Sequence, residues 1–254
     1  MFAVGLEIGS ILGVILSAGF VYFELGKFAT PQVPKTRFDE SKAIVAYVVG
    51  LFVGIPLAVV WIFFEVAVLD GALISAIVDV CLLVIAGELA QTALLRTHFF
   101  GFTPADPFYA LATRAGIGGL LAVGTVAEYL AGQATLLGDA LVLTQSVALL
   151  LIEVTGGLRA LLPVPTATSV IRQRLASFFL LLVLFVLAAL GGLYGAAYGI
   201  AGAALAIAGA AFLYWDARPT VLAPPRPKAP VAGAPSTASR FDRLPSGSGK
   251  RKRT

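Results

Sequence analysis

Charged residues that interrupt long apolar runs are where this sequence could do chemistry, because an ionisable side chain in hydrocarbon is costly unless paired or hydrated. Four stand out: Asp79, Glu88, Arg114 and Glu153. Glu88, Arg114 and Glu153 lie at similar depth, counted from the ends of the runs that hold them. Arg114 is expected to pair with Glu88 or Glu153, since neither a guanidinium nor a carboxylate is stable there alone. Such a cluster suits a proton or cation relay, or a gate. The alternative is a static structural ion pair with Arg114 partly snorkelling toward the surface. Asp79 shares a helical face with Ser75 and is either a further site or a protonated, hydrogen-bonded carboxyl. It is nine positions from Glu88, which at about 100° per residue puts the two on opposite faces. The helix holding both is therefore expected to be central, with protein or water around it.

Other chemistry finds little support. His98 is the only histidine and Cys81 the only cysteine, so bis-histidine haem ligation, histidine-clustered metal sites and an intrachain disulfide are excluded within one chain. No nucleophile–base or metal constellation occurs, and neither an enzyme nor a cofactor is expected. No asparagine is present, which rules out N-linked glycosylation. A retinal protein of the microbial rhodopsin type needs a lysine in its last helix, and none occurs between Lys42 and Lys228. Gly138-Asp139 resembles the end of the GxGD motif of intramembrane aspartyl proteases, but Leu136 stands where the first glycine belongs. Pro31-Gln32 resembles the signature pair of the PQ-loop transporters, and the second repeat offers Pro163-Val164 instead.

The elements that must position these residues follow from composition. The chain has 254 residues, 59% hydrophobic and 13% charged, with a mean hydropathy of +0.94. A soluble domain keeps roughly a quarter of its residues charged, so the solvent here is lipid. A helix needs about 20 apolar residues to cross the hydrocarbon. The first span runs from Phe2 to about Phe28. Ala43–Leu95 holds two, broken at Glu65–Gly71. The fourth is about Phe108–Leu130 and the fifth about Asp139–Leu162. As one helix, Leu175–Trp215 would extend roughly 60 Å, so it folds back at Gly191-Gly192 through Gly195 into spans six and seven. The expected fold is all-α, a polytopic bundle of seven transmembrane spans over residues 1–215.

Charge placement tests this count. Every Lys and Arg falls within Lys27–Lys42, Arg96–Arg114, Arg159–Arg174 or the tail from Arg218, and the three intervening connections contain no base. Seven spans set the basic places on one side, which the positive-inside rule makes cytoplasmic. The N-terminus is then outside, the C-terminus is in the cytoplasm, and the chain is a multi-pass protein of the cell membrane. Glu7, Glu65, Asp70, Glu128 and Asp139 fall near outer helix ends, as an acidic rim or as ordinary ends reaching water. Trp61, Tyr129, Tyr194 and Tyr198 fall near the outer boundary; Tyr22, Tyr47, Tyr109, Tyr214 and Trp215 fall near the inner one, where amphipathic rings sit.

Small residues at four-residue steps let helices approach closely. Gly5, Gly9, Gly13 and Ser17 form one such stripe, and Gly195, Gly199 and Ala203 another. They serve packing within the chain or homodimerisation. Gly116-Ile117-Gly118-Gly119, just after Arg114, marks either close packing or an unwound helix of the transporter kind. Residues 216–254 are rich in Pro, Ala and Ser and end in Lys250-Arg251-Lys252-Arg253, a composition expected to be disordered. That tail would tether to anionic lipid or dock a membrane-complex partner on Arg240-Phe241-Asp242, which echoes Arg37-Phe38-Asp39. No nucleic-acid partner is expected. Two functional classes remain: a small-solute or ion permease using Glu88, Arg114 and Glu153, with or without Asp79, and a non-catalytic membrane subunit or sensor whose buried charges are structural.

Overall fold

A computed structural model describes residues 2–26, 39–69, 73–97, 106–131, 136–162 and 167–221. They form seven helices: α1 (Phe2–Gly26), α2 (Glu40–Leu69), α3 (Leu73–Leu95), α4 (Asp106–Ala131), α5 (Leu136–Arg159), α6 (Ala167–Tyr194) and α7 (Ala196–Val221). Among the described residues, five helices are long and apolar enough to cross a membrane: α2, α3, α4, α5 and α7. Asp39 starts α2 as an N-cap, its carboxylate accepting from the backbone N–H groups of Ser41 and Lys42 at 3.0 and 3.4 Å. Thr97 closes α3, its hydroxyl donating to the Leu94 carbonyl at 2.8 Å.

The centre of the bundle is α4, which is buried on every side and packs against α1, α2 and α5, with α3 also touching it. Its glycines explain why. Gly116 faces α2, where an added Cβ would sit 2.8 Å from the Leu51 backbone nitrogen. Gly118 faces α5, where it would sit 2.8 Å from Leu150 Cα, and Gly119 faces α1, 2.8 Å from Ser17 Cβ. At about 100° per residue, Gly118 points well away from both Gly116 and Gly119, and Gly119 is turned by about 60° from Gly116, so one short run admits three neighbouring backbones. Unbroken helix runs through it, so the run serves close approach and not unwinding.

The expectation that the helix carrying Asp79 and Glu88 is central is therefore wrong. On α3, Ile74, Ile77, Val78, Leu82, Ile85 and Leu89 face outward. The two carboxylates lie near opposite ends of the helix, so each needs only local relief and the span between them can face lipid.

Two clusters of buried side chains fill the bundle. One joins Leu25, Ala43, Leu94, Leu95, Phe108, Tyr109, Leu158, Tyr214 and Ala217, and so brings together the ends of α1, α2, α3, α4, α5 and α7 that adjoin the basic connections. The other surrounds Trp61 nearer the opposite end, with Phe64, Leu83, Leu121, Phe185 and Ala203. Ion pairs tie the basic end: Arg218 to Glu24 at 3.1 Å, and Arg159 to Asp216 at 3.9 Å. Buried hydroxyls and amides fasten helices to each other through backbone carbonyls, Gln145 to Ala188 at 2.9 Å and Thr155 to Ala210 at 3.0 Å.

Several details differ from expectation. The turn between α6 and α7 is Gly195 alone, with φ of 92°, and helix α6 continues through Gly191 and Gly192 to Tyr194. A single glycine in the left-handed region suffices to end a helix. Gly195 is thus a turn and not a packing position, and nothing lies within 4 Å of where its Cβ would be. Gly199 and Ala203 are buried, while Gly13 and Ser17 pack on α4. The surroundings of Gly5 and Gly9, and the side chains of Glu7 and Glu128, lie outside the described residues, as does Asp70. Trp61 is not an interfacial ring: it is wholly buried and donates to the Thr125 hydroxyl at 3.0 Å. Helix α7 runs to Val221, past the expected start of the tail, and residues 222–254 lie outside the described residues.

Candidate functional site

Arg114 follows the first residue of α4 by eight positions, and Glu88 and Glu153 precede the last residues of α3 and α5 by seven and six. At 1.5 Å per residue all three lie about 9–12 Å inside the same, basic end of the bundle. There the guanidinium reaches both acids. Its Nη1 donates to Glu153 Oε2 at 2.7 Å and its Nη2 to Glu88 Oε1 at 2.9 Å. The third nitrogen, Nε, donates to Gln91 Oε1 at 2.9 Å, and the Gln91 amide passes the link on to the Gly157 carbonyl at 3.2 Å. The expected choice between the two carboxylates is thus not a choice, because Arg114 bridges them.

Burial divides the partners. Arg114 and Glu153 are 1% and 2% exposed, whereas Glu88 keeps 27%. Arg114 does not snorkel; its head points into the protein. Two glycines make room for it. At Gly87 an added Cβ would collide with Nη1 of Arg114, and at Gly157 it would lie 2.7 Å from Arg114 Cγ. Two acids facing one base leave the cluster one formal negative charge in excess, which a proton or other cation would balance. Among the described residues no group of three or more His, Cys, Asp and Glu is placed to hold a metal ion.

Glu88 is also the polar entrance to a cleft of about 400 Å³ between α3, the end of α5 and α6. One of its oxygens is held by Arg114, and the other meets no protein donor among the described residues. Asp79, by contrast, lies about two turns from the other end of α3, half-buried and away from the cluster. The structure unites Glu88, Arg114 and Glu153 and leaves Asp79 apart.

Sequence reasoning missed Gln91, Gly87 and Gly157. Their signal was spacing: Gly87 and Gln91 stand one helical turn apart on one face of α3, Glu88 and Gln91 three apart, and Gly157 follows Glu153 by one helical turn. A second polar contact went unforeseen between α1 and α2, where the Ser17 and Tyr47 hydroxyls lie 2.8 Å apart. The chain matches no protein-family model, and comparison with curated proteins and with solved structures finds no significant similarity.

Proposed function

We propose that this chain is a small permease of the cell membrane, moving an ion or a small solute by way of Glu88, Arg114 and Glu153. All seven helices span in this reading, with the N-terminus outside and the basic end, tail included, facing cytoplasmic anionic lipid. One observation carries it: two carboxylates share a single buried guanidinium, one of them sealed and the other reachable from a cleft. An acid in excess beside a fixed base is a place for a cation to stop without being trapped. Glu88 would receive it, Arg114 would keep both carboxylates from binding it too tightly, and Glu153 would be the inner acceptor. Asp79 is not needed for this step.

A second reading has its own support. Every nitrogen of the guanidinium is bonded, and Gly87 and Gly157 confine the side chain. A static clamp of that kind suits a non-catalytic subunit or sensor that docks a partner or a second copy of itself.

Reconstitution in liposomes separates the two. The permease reading expects the wild type to dissipate an imposed proton or alkali-cation gradient. Glu153→Gln should slow it by about tenfold or more, the scale of losing one charge from a buried pair. No flux for any tested ion, or the same flux in the variant, would leave the static clamp.

A further inference from the structure

The cleft beside Glu88 has features that the ion triplet does not use. Its walls are apolar, with Val84, Ile85 and Leu89 from α3 facing Phe178 from α6. Leu89 is 64% exposed and Ile85 46%, so the mouth opens on the outward, lipid-facing side of the bundle. The volume, about 400 Å³, falls in the range of small-molecule sites, roughly 300–1,000 Å³. Among the described residues, two polar side chains line this apolar space. One is the carboxylate of Glu88, with an oxygen to spare. The other is Ser177 on α6, only 7% exposed, whose hydroxyl has no hydrogen-bond partner among the described residues. A buried serine on a helix ordinarily donates back to a carbonyl one turn earlier, so an unmatched hydroxyl here is unusual and leaves a donor unspent beside the cleft.

We infer that this cleft binds an amphipathic organic monocation, an ammonium group on an apolar chain, entering sideways from the lipid. An ammonium carries three N–H donors and no acceptor, which suits the free Glu88 oxygen and the Ser177 hydroxyl. Its single charge cancels the excess acid of the triplet. The apolar walls hold the chain. An anion would face Glu88. A hydrated divalent cation would want about six oxygen ligands, and the described side chains of the cleft offer two. This names a substrate class for the permease and rests on that reading for the transport step, whereas occupancy of the cleft is measurable by itself.

The test uses the full chain in lipid nanodiscs and a dansyl-labelled alkylamine, with binding read as fluorescence above that of empty nanodiscs. A dansyl-labelled alcohol of equal chain length serves as the neutral control. Saturable binding is expected, with the amine favoured by about tenfold or more over the alcohol. Glu88→Gln should weaken the amine about tenfold, since it removes the charge and keeps the shape. Ser177→Ala should weaken it severalfold. Because Glu88→Gln touches the triplet, Leu89→Trp provides a second arm: it fills the mouth without contacting Arg114, and should abolish binding at unchanged thermal stability. Equal binding of amine and alcohol, or unaltered affinity in both Glu88→Gln and Leu89→Trp, would overturn the assignment. Glu88-dependent binding without flux in liposomes would keep the site and reject the permease. Glu153-dependent ion flux without amine binding would do the reverse.

Discussion

Arg114 is the residue on which the interior depends. Taking it away would leave two carboxylates, one of them sealed, with no base to face. Losing one partner of a buried ion pair typically costs about 3–5 kcal/mol. Arg114→Met should therefore unfold at a markedly lower temperature in detergent, and an unchanged midpoint would mean that the carboxylates are already neutralised some other way. The glycines that shape its slot give a finer test. Gly87→Ala drives a methyl into a guanidinium pinned on all three nitrogens, and overpacking of that sort costs about 1–3 kcal/mol. Gly19, on the outside of α1, meets nothing within 4 Å, and Gly19→Ala should be neutral or stabilising by up to about 1 kcal/mol from helix propensity. Equal thermal shifts for the two variants would contradict the slot. Much of this site was legible in the sequence, since a lone arginine and two glutamates at matching depth have few other ways to be stable in lipid. What was not legible was the support. Gln91 and Gly157 look like ordinary helix residues until the guanidinium is seen lying between them.

Among the elements, α4 decides the arrangement, because its small residues present backbone to three neighbours at once. Gly118→Leu would push α5 off, at the position where Leu150 Cα comes close. A several-atom intrusion into that contact should cost more than the roughly 1–3 kcal/mol of ordinary overpacking. The expected result is loss of folded protein on size-exclusion chromatography in detergent, while Gly26→Leu, in open space, elutes as the wild type does. The helix ends were readable from apolar length and interrupting charges, and the α6–α7 reversal from a glycine. Which helix lies inside was not. In lipid, hydropathy no longer separates core from surface: Leu89 faces outward and Leu83 inward on the same helix. Small-residue density does not separate them either, since α7 carries more Gly, Ala and Thr than α4 and yet lies at the edge. Trp61 went astray for a related reason, since an aromatic counted near a span's end can still reach a buried hydroxyl.

For the molecule as a whole, the exterior is apolar around α1, α2, α3, α5, α6 and α7, from Ile15 and Phe52 to Phe179 and Phe212, as a bilayer requires. The described helix ends beside the basic connections gather at one end of the bundle, which agrees with the alternation of charge along the chain. If that end is cytoplasmic, the cleft and the triplet open toward the inner leaflet, and both functional proposals inherit that direction. Single-cysteine labelling of intact cells with a membrane-impermeant maleimide, on a Cys81→Ser background, measures this directly. Asp139→Cys, exposed in the first turn of α5, should label from outside, and Ser41→Cys, exposed at the start of α2, only after the membrane is opened. Labelling of both from the same side, or of Ser41→Cys alone in intact cells, would contradict the account.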